Sequence, residues 1–91
     1  MDYEWDEAKR KANIAKHGVD FEQVAGFDWH SAIAFVDDRE DYGELREIAI
    51  GFIGVRLHVL ALTRRAHDTI RVIMLRKATA KEVRRYEKEK E

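Results

Sequence analysis

Cysteine and proline are both absent from this chain of 91 residues. Without thiols there is no disulfide framework, no thiolate metal site and no cysteine nucleophile. Without proline nothing enforces a cis peptide bond or a sharp helix stop. No apolar run approaches the roughly 18–20 residues of a membrane-spanning helix. The acidic opening MDYEWDEAKR carries no apolar stretch of the kind a signal peptide needs, so the expectation is a cytoplasmic protein with no membrane partner. The G-x-G-x-x-G, Walker, HExxH and G-x-S-x-G patterns are missing, which removes the main support for nucleotide-binding, zinc-protease and serine-hydrolase readings. The four histidines, His17, His30, His58 and His67, are far apart and lack ligand spacing. Neither a metal site nor a cofactor is expected from them.

What is present describes one soluble globular domain, residues 1–91: 45% of residues are hydrophobic and 38% charged, too apolar for a disordered chain. The net charge of −1 conceals an asymmetry. Residues 1–55 carry 6 Lys/Arg against 13 Asp/Glu, and residues 56–91 carry 11 against 5. A basic last third offers a phosphate-binding face, unless the two halves neutralise one another across the fold.

The hydrophobic pattern opens with two helices. Asp6 caps the first, with Trp5, Ala8, Ala12 and Ala15 at helical spacing, and Gly18 ends it. Asp20 caps the second with Gln23 as its box partner and Val19 and Val24 as a staple, and this helix is expected to run to near Trp29. The period then becomes strand-like. Strands are read at Ala32–Val36, Arg46–Phe52, Arg56–Thr63 and Thr69–Leu75, with Gly51 and Gly54 bracketing a hairpin turn. Thr79-Ala80-Lys81-Glu82 is a capping box that opens a last helix at Ala80. Short connections imply an antiparallel meander, so the expected fold is α+β, in the order α-α-β-β-β-β-α.

The residues able to carry chemistry crowd into the basic end: Arg64, Arg65, Arg71, Arg76 and Lys77, then Glu82, Arg84, Arg85 and Tyr86. A guanidinium binds phosphate oxygens with a planar fork and stays charged. When a 2′-hydroxyl attacks its phosphodiester, a dianionic phosphorane forms, and fixed cations stabilise it more than the ground state. Each residue also has a structural reading. Arg71 can face solvent between buried Ile70 and Val72, Glu82 is the N3 half of a capping box, and Tyr86 can pack on the sheet. Arg84 and Arg85 read as a solvated helix face. His58 alternates along its strand with Arg56 and Leu60, fitting either a proton-transfer group or a packed ring. His17 precedes the helix-ending glycine, where the dipole favours imidazolium. The acidic stretch Asp37, Asp38, Glu40, Asp41 and Glu44 reads as a solvated loop or a docking patch.

Three blocks in order, WDEAKRKANIAKHGVDFEQVA, DDREDYGELREIAIG and LTRRAHDTIRVIMLRKATAKEVRRYE, closely resemble the BrnT toxins of bacterial type II toxin–antitoxin systems, from Trp5 to Tyr86. The resemblance implies a RelE-like fold and a ribonuclease that works without a metal and inhibits translation. It implies a BrnA-type antitoxin with a ribbon-helix-helix domain, which masks the toxin and contacts the DNA of the shared operon. It implies RNA as substrate, free or on the ribosome. Carried over by position, the resemblance gives catalytic roles to Arg65, Arg76, Glu82 and Tyr86 and RNA-backbone contacts to Arg64, Arg71 and Lys77. Trp5, Asn13, His17, Gly18, Tyr42, Gly43, Glu44, Arg46 and Gly51 fall on family positions read as structural. One departure stands out: Met74-Leu75 replaces the family's usual Ser-Ala before Arg76. Two larger side chains there could reshape the site, and they support the competing reading of a diverged, non-catalytic binding module.

Overall fold

The computed structural model describes all 91 residues. Its elements are β1 (Asp2–Glu4), α1 (Glu7–His17), a 3-10 turn (Phe21–Gly26), β2 (Ile33–Val36), β3 (Glu47–Ile53), β4 (Arg56–Arg65), β5 (Thr69–Lys77) and α2 (Ala80–Glu89). The strands form one sheet in the order β1-β5-β4-β3-β2. The run from β2 to β5 is antiparallel, whereas β1 pairs with β5 in parallel.

That architecture corrects the expected α-α-β-β-β-β-α fold in two places. The sheet is mixed and five-stranded, because Asp2–Glu4 adds an edge strand. Three residues with two acids among them have no strand periodicity of their own. Tertiary contacts hold them: Tyr3 lies opposite Ile70 in the sheet and its hydroxyl accepts a 2.7 Å bond from Trp29 Nε1. The expected second helix is a six-residue 3-10 turn, although the capping box of Asp20 and Gln23 forms as read. Asp28 N donates to Phe52 O at 2.9 Å and Phe27 bridges to Ile53. These pairings draw the backbone onto β3 before an α-helix, costly to nucleate over so few residues, can develop.

Local signals explain the remaining helices. Asp6 accepts from the amides of Ala8 and Lys9, and Gly18 closes α1 in the left-handed conformation, φ 71°. Thr79 and Glu82 form a reciprocal box at the start of α2. Gly51 does not turn the chain as expected. It lies inside β3, where an added Cβ would meet Phe27 Cζ at 2.7 Å; the turn is carried by Gly54, φ 62°.

The sheet separates two apolar layers. One, centred on Phe21, Leu60, Leu62 and Leu75, lies beneath α1 and the 3-10 turn. The other, with Ile50, Leu57, Val59 and Tyr86, lies beneath α2. Buried Asn13 ties α1 to the sheet where β1 no longer reaches. Its Nδ2 donates to Val19 O at 2.9 Å and Leu75 O at 2.7 Å, and its Oδ1 accepts from Leu75 N at 3.3 Å.

A bulge fixes which face the strand arginines present. Ala61 pairs with Met74 but Leu62 pairs with Val72, leaving Ile73 as the additional residue of β5. In a regular strand, residues five apart point to opposite faces. The inserted residue reverses that parity. Arg71 lies opposite Thr63 and Arg76 opposite Val59, two β4 positions of equal parity, so both arginines belong to the α2 face.

Candidate active site

Arg76 is the centre of the best-organised polar group. Its NH1 and NH2 each donate to one oxygen of Glu82 at 2.8 Å, a parallel two-point pair. Glu82 Oε1 also accepts the Thr79 amide at 2.8 Å. Glu82 is therefore the helix cap its position predicts and, in addition, the partner of Arg76. The Arg76 guanidinium, with the Thr79 bonds, holds the Glu82 carboxyl down at about 2. The same pairing raises Arg76 further above its ordinary value.

The pair lines an open cleft of about 740 Å³. α1 contributes Lys16 and His17 from its C-terminal end, and α2 contributes Arg85 beside Glu82. Phe35, Asp37, Asp38 and Arg39 close the side formed by β2 and the loop after it, while Ile48, Val59 and Met74 make the apolar floor. Asp37 is 7% exposed. It accepts from Arg39 Nε and NH2 at 2.8 and 2.9 Å and from the Tyr42 hydroxyl at 3.2 Å. The bonds from Arg39 hold its carboxyl at about 2. The acidic stretch is thus not uniformly solvated: its first residue is a buried anchor for the cleft wall. The Arg85 guanidinium lies 3.9 Å from the Phe35 ring centroid, so this exposed helix-face arginine also forms a wall of the cleft.

His17 differs from its expected state. A helix C-terminus favours imidazolium, but burial, followed by Lys16 and Arg76, shifts the ring in the opposite direction and lowers its pKa. His58 is 3% exposed, with Nδ1 2.9 Å from Arg56 O, which is the packed-ring alternative.

The residues assigned by resemblance do not all converge here. Arg76 and Glu82 line the cleft. Lys77 ends β5 opposite His58, on the α1 face and outside the cleft lining, and is exposed. Arg65 and Arg71 stand on the same sheet face at the far end of the hairpin, where both reach Glu4, at 3.6 and 2.8 Å. Six residues of β4 separate the Arg65 and Val59 levels, roughly 20 Å along the strand. Arg64 turns to the opposite face, bonded to Glu47 at 2.7 Å with its guanidinium 5.8 Å from the Trp29 ring. Tyr86 is 7% exposed and its hydroxyl donates to Ser31 O at 2.8 Å, docking α2 onto the chain before β2. Of Met74 and Leu75, only Met74 lines the cleft; Leu75 is fully buried in the opposite layer.

Sequence reasoning overlooked Lys16, Phe35, Asp37, Arg39 and Arg85 as cleft residues. The ‑Lys-His-Gly‑ helix end was a usable signal, since it fixes the direction of the last turn. Nothing local announced that the 37–39 segment folds over the same cleft.

Comparison with known proteins bears on this arrangement. The family model described as ribonuclease toxin, BrnT, of type II toxin–antitoxin systems matches residues 5–82. Among solved structures, the Brucella abortus ribonuclease toxin BrnT superimposes with a TM-score of 0.69 at 33% identity, covering 87% of this chain and 97% of that one. No curated protein matches the chain. With the family model spanning Trp5 to Glu82 and both the first helix and the Arg76–Glu82 pair inside it, the chain belongs to the BrnT family of ribonuclease toxins of type II toxin–antitoxin systems.

Proposed function

We propose that this chain is an endoribonuclease whose phosphate-handling centre is the Arg76 cleft, and that it cuts RNA without a metal and thereby inhibits translation. The observation that carries this reading is the Arg76–Glu82 pair, a forked guanidinium held on both nitrogens at 2.8 Å inside a cleft. A preorganised cation there stabilises the developing phosphorane at little reorganisation cost. Glu82 orients Arg76, and Arg85 and Lys16 add positive charge at the walls. Arg71 and Arg65, on the same face, extend the track for the RNA backbone. Tyr86 supports α2.

The partner fitting this family is a BrnA-like antitoxin with a ribbon-helix-helix domain, which covers the toxin and itself holds the operon DNA. The test is induced expression in bacteria of the chain alone, with the adjacent gene, and as Arg76→Ala, with primer extension on cellular RNA. Growth arrest with new RNA 5′ ends is expected, relieved by the neighbour and lost in the variant. Unimpaired growth by folded wild-type protein would overturn the proposal in favour of a binding module, with Met74 the first residue to revert.

A further inference from the structure

We infer that His17 is the group that removes the 2′-hydroxyl proton at the Arg76 cleft; the inference rests on the ribonuclease reading above and extends it to the proton-transfer step. The proton acceptor is unassigned among the residues named so far. Glu82 has both oxygens engaged by Arg76 and one also by the Thr79 amide. Asp37 has both oxygens engaged by Arg39. The Tyr86 hydroxyl is spent on Ser31 O. Lysine and arginine carry their protons at neutral pH. Asp38 is exposed. His17 remains, a half-buried imidazole lining the same cleft as Arg76.

Its placement is built in. Asn13, one helical turn earlier, bonds to Val19 O on one side and to both backbone groups of Leu75 on the other. Leu75 is the residue before Arg76, so the Asn13 clamp fixes the last turns of α1 against the β5 backbone next to Arg76. Gly18, φ 71°, then turns the chain away at once, leaving the His17 ring at the end of the helix. The charged groups facing it across the cleft are Lys16 from α1, Arg76 from β5, and Arg85 with Glu82 from α2. The loop after β2 brings Asp37, Asp38 and Arg39. Burial and the cations of Lys16 and Arg76 lower the pKa of the ring, which favours the neutral imidazole, the form able to accept a proton.

In the step that follows, the ribose 2′-hydroxyl gives its proton to a nitrogen of His17 and its oxygen forms a bond to phosphorus. The P–O5′ bond breaks, and the departing 5′-oxygen takes a proton from water. The hydroxide left behind takes the proton from His17, restoring the neutral ring. The products are a 2′,3′-cyclic phosphate and a 5′-hydroxyl, with no oxidant, reductant or metal required.

The experiment measures cleavage of a long mixed-sequence transcript by the purified chain, with and without ribosomes, across pH 5 to 8. His17→Asn, His17→Gln and Arg76→Ala are compared, with RNA binding and circular dichroism on each. The expectation is a 10²–10⁴-fold loss of cleavage in the His17 variants with RNA affinity unchanged. The wild type should lose activity on the acid side of neutrality, and the residual activity of the variants should lack that limb. Should a His17 variant not fold, the wild-type acid limb and its cyclic-phosphate ends carry the test. Cleavage that depends on Arg76 but stays within a few-fold of wild type in a folded His17 variant, or a wild-type profile with no acid limb, would overturn the role of His17 alone. A wild type that cuts nothing, even on ribosomes, would overturn the ribonuclease reading and this inference together.

Discussion

The two ends of the β4–β5 hairpin hold the same chemistry in different settings. At one end Arg65 and Arg71 share the carboxylate of Glu4, 3.6 and 2.8 Å away, beside the edge strand and outside the cleft. At the other, Arg76 is held by two parallel bonds to Glu82, and a cleft assembled from α1, β5, α2 and the loop after β2 surrounds it. In the sequence the resemblance pairs Arg65 with Arg76 as catalytic and leaves Arg71 to the RNA backbone, a division that cuts across the two ends. The structure separates them by what stands around each: only the second end has cleft walls, an imidazole and a two-point orienting partner. An arginine in an ion pair outside a cleft is a steering and docking charge, whereas one preorganised in a cleft can stabilise a transition state.

The largest effect that separates the ends is on the chemical step. Arg76→Ala should reduce RNA cleavage about 10²–10³-fold at saturating RNA. Arg65→Ala and Arg71→Ala should leave the saturated rate within a few-fold and weaken RNA binding instead, each lowering the salt slope of affinity by about 1. A saturated rate equally damaged by Arg71→Ala would erase the distinction between the two ends.

Stability effects sharpen it further. The Glu82 carboxyl sits at about 2 in the folded chain, below the unfolded carboxylate range. Its contribution is therefore present above roughly pH 4.3 and is lost as pH falls through about 2, worth roughly 2–3 kcal/mol in full. Denaturant unfolding should show wild type more stable than Glu82→Gln at pH 6, with the gap shrinking steadily below pH 4. Asn13→Ala strands the backbone groups of Leu75 and should cost about 1–3 kcal/mol. It should also reduce cleavage more than its stability loss explains, because it frees the turn that carries His17. The smallest effect belongs to Tyr86→Phe. It removes the bond to Ser31 O, costs roughly 1 kcal/mol by thermal unfolding, and leaves the cleavage rate unchanged in the folded protein.

Much of this frame is legible in local chemistry. Asp6, Gly18, the Asp20–Gln23 box and the Thr79–Glu82 box each do in the structure what their residue types dictate. The misreadings lie where distant residues decide. Asp2–Glu4 becomes a strand only because β5 offers an open edge. The second helix shortens because Phe27 and Asp28 pair with β3. The site is half legible for the same reason. Arg76 and Glu82 are visible as a strand-end arginine and a capping glutamate, but their meeting across the start of α2 depends on the bulge at Ile73, which no pattern in TIRVIMLRK announces. Arg71 and Arg76, five residues apart, look like opposite faces of a strand until that additional residue is inserted. Asp37 is held by Arg39 only two residues on, a local pair whose burial against the cleft the sequence does not show, and nothing near Arg85 names Phe35 as its contact.

The measurement closest to the central claim is single-turnover RNA cleavage by folded Arg76→Ala beside folded Arg71→Ala, on the same transcript and at the same saturating RNA concentration. The account predicts a loss of two to three orders of magnitude in the first variant and a rate within a few-fold of wild type in the second. Equal rates in the two, or the larger loss in Arg71→Ala, would place the reacting phosphate at the Glu4 end and contradict it.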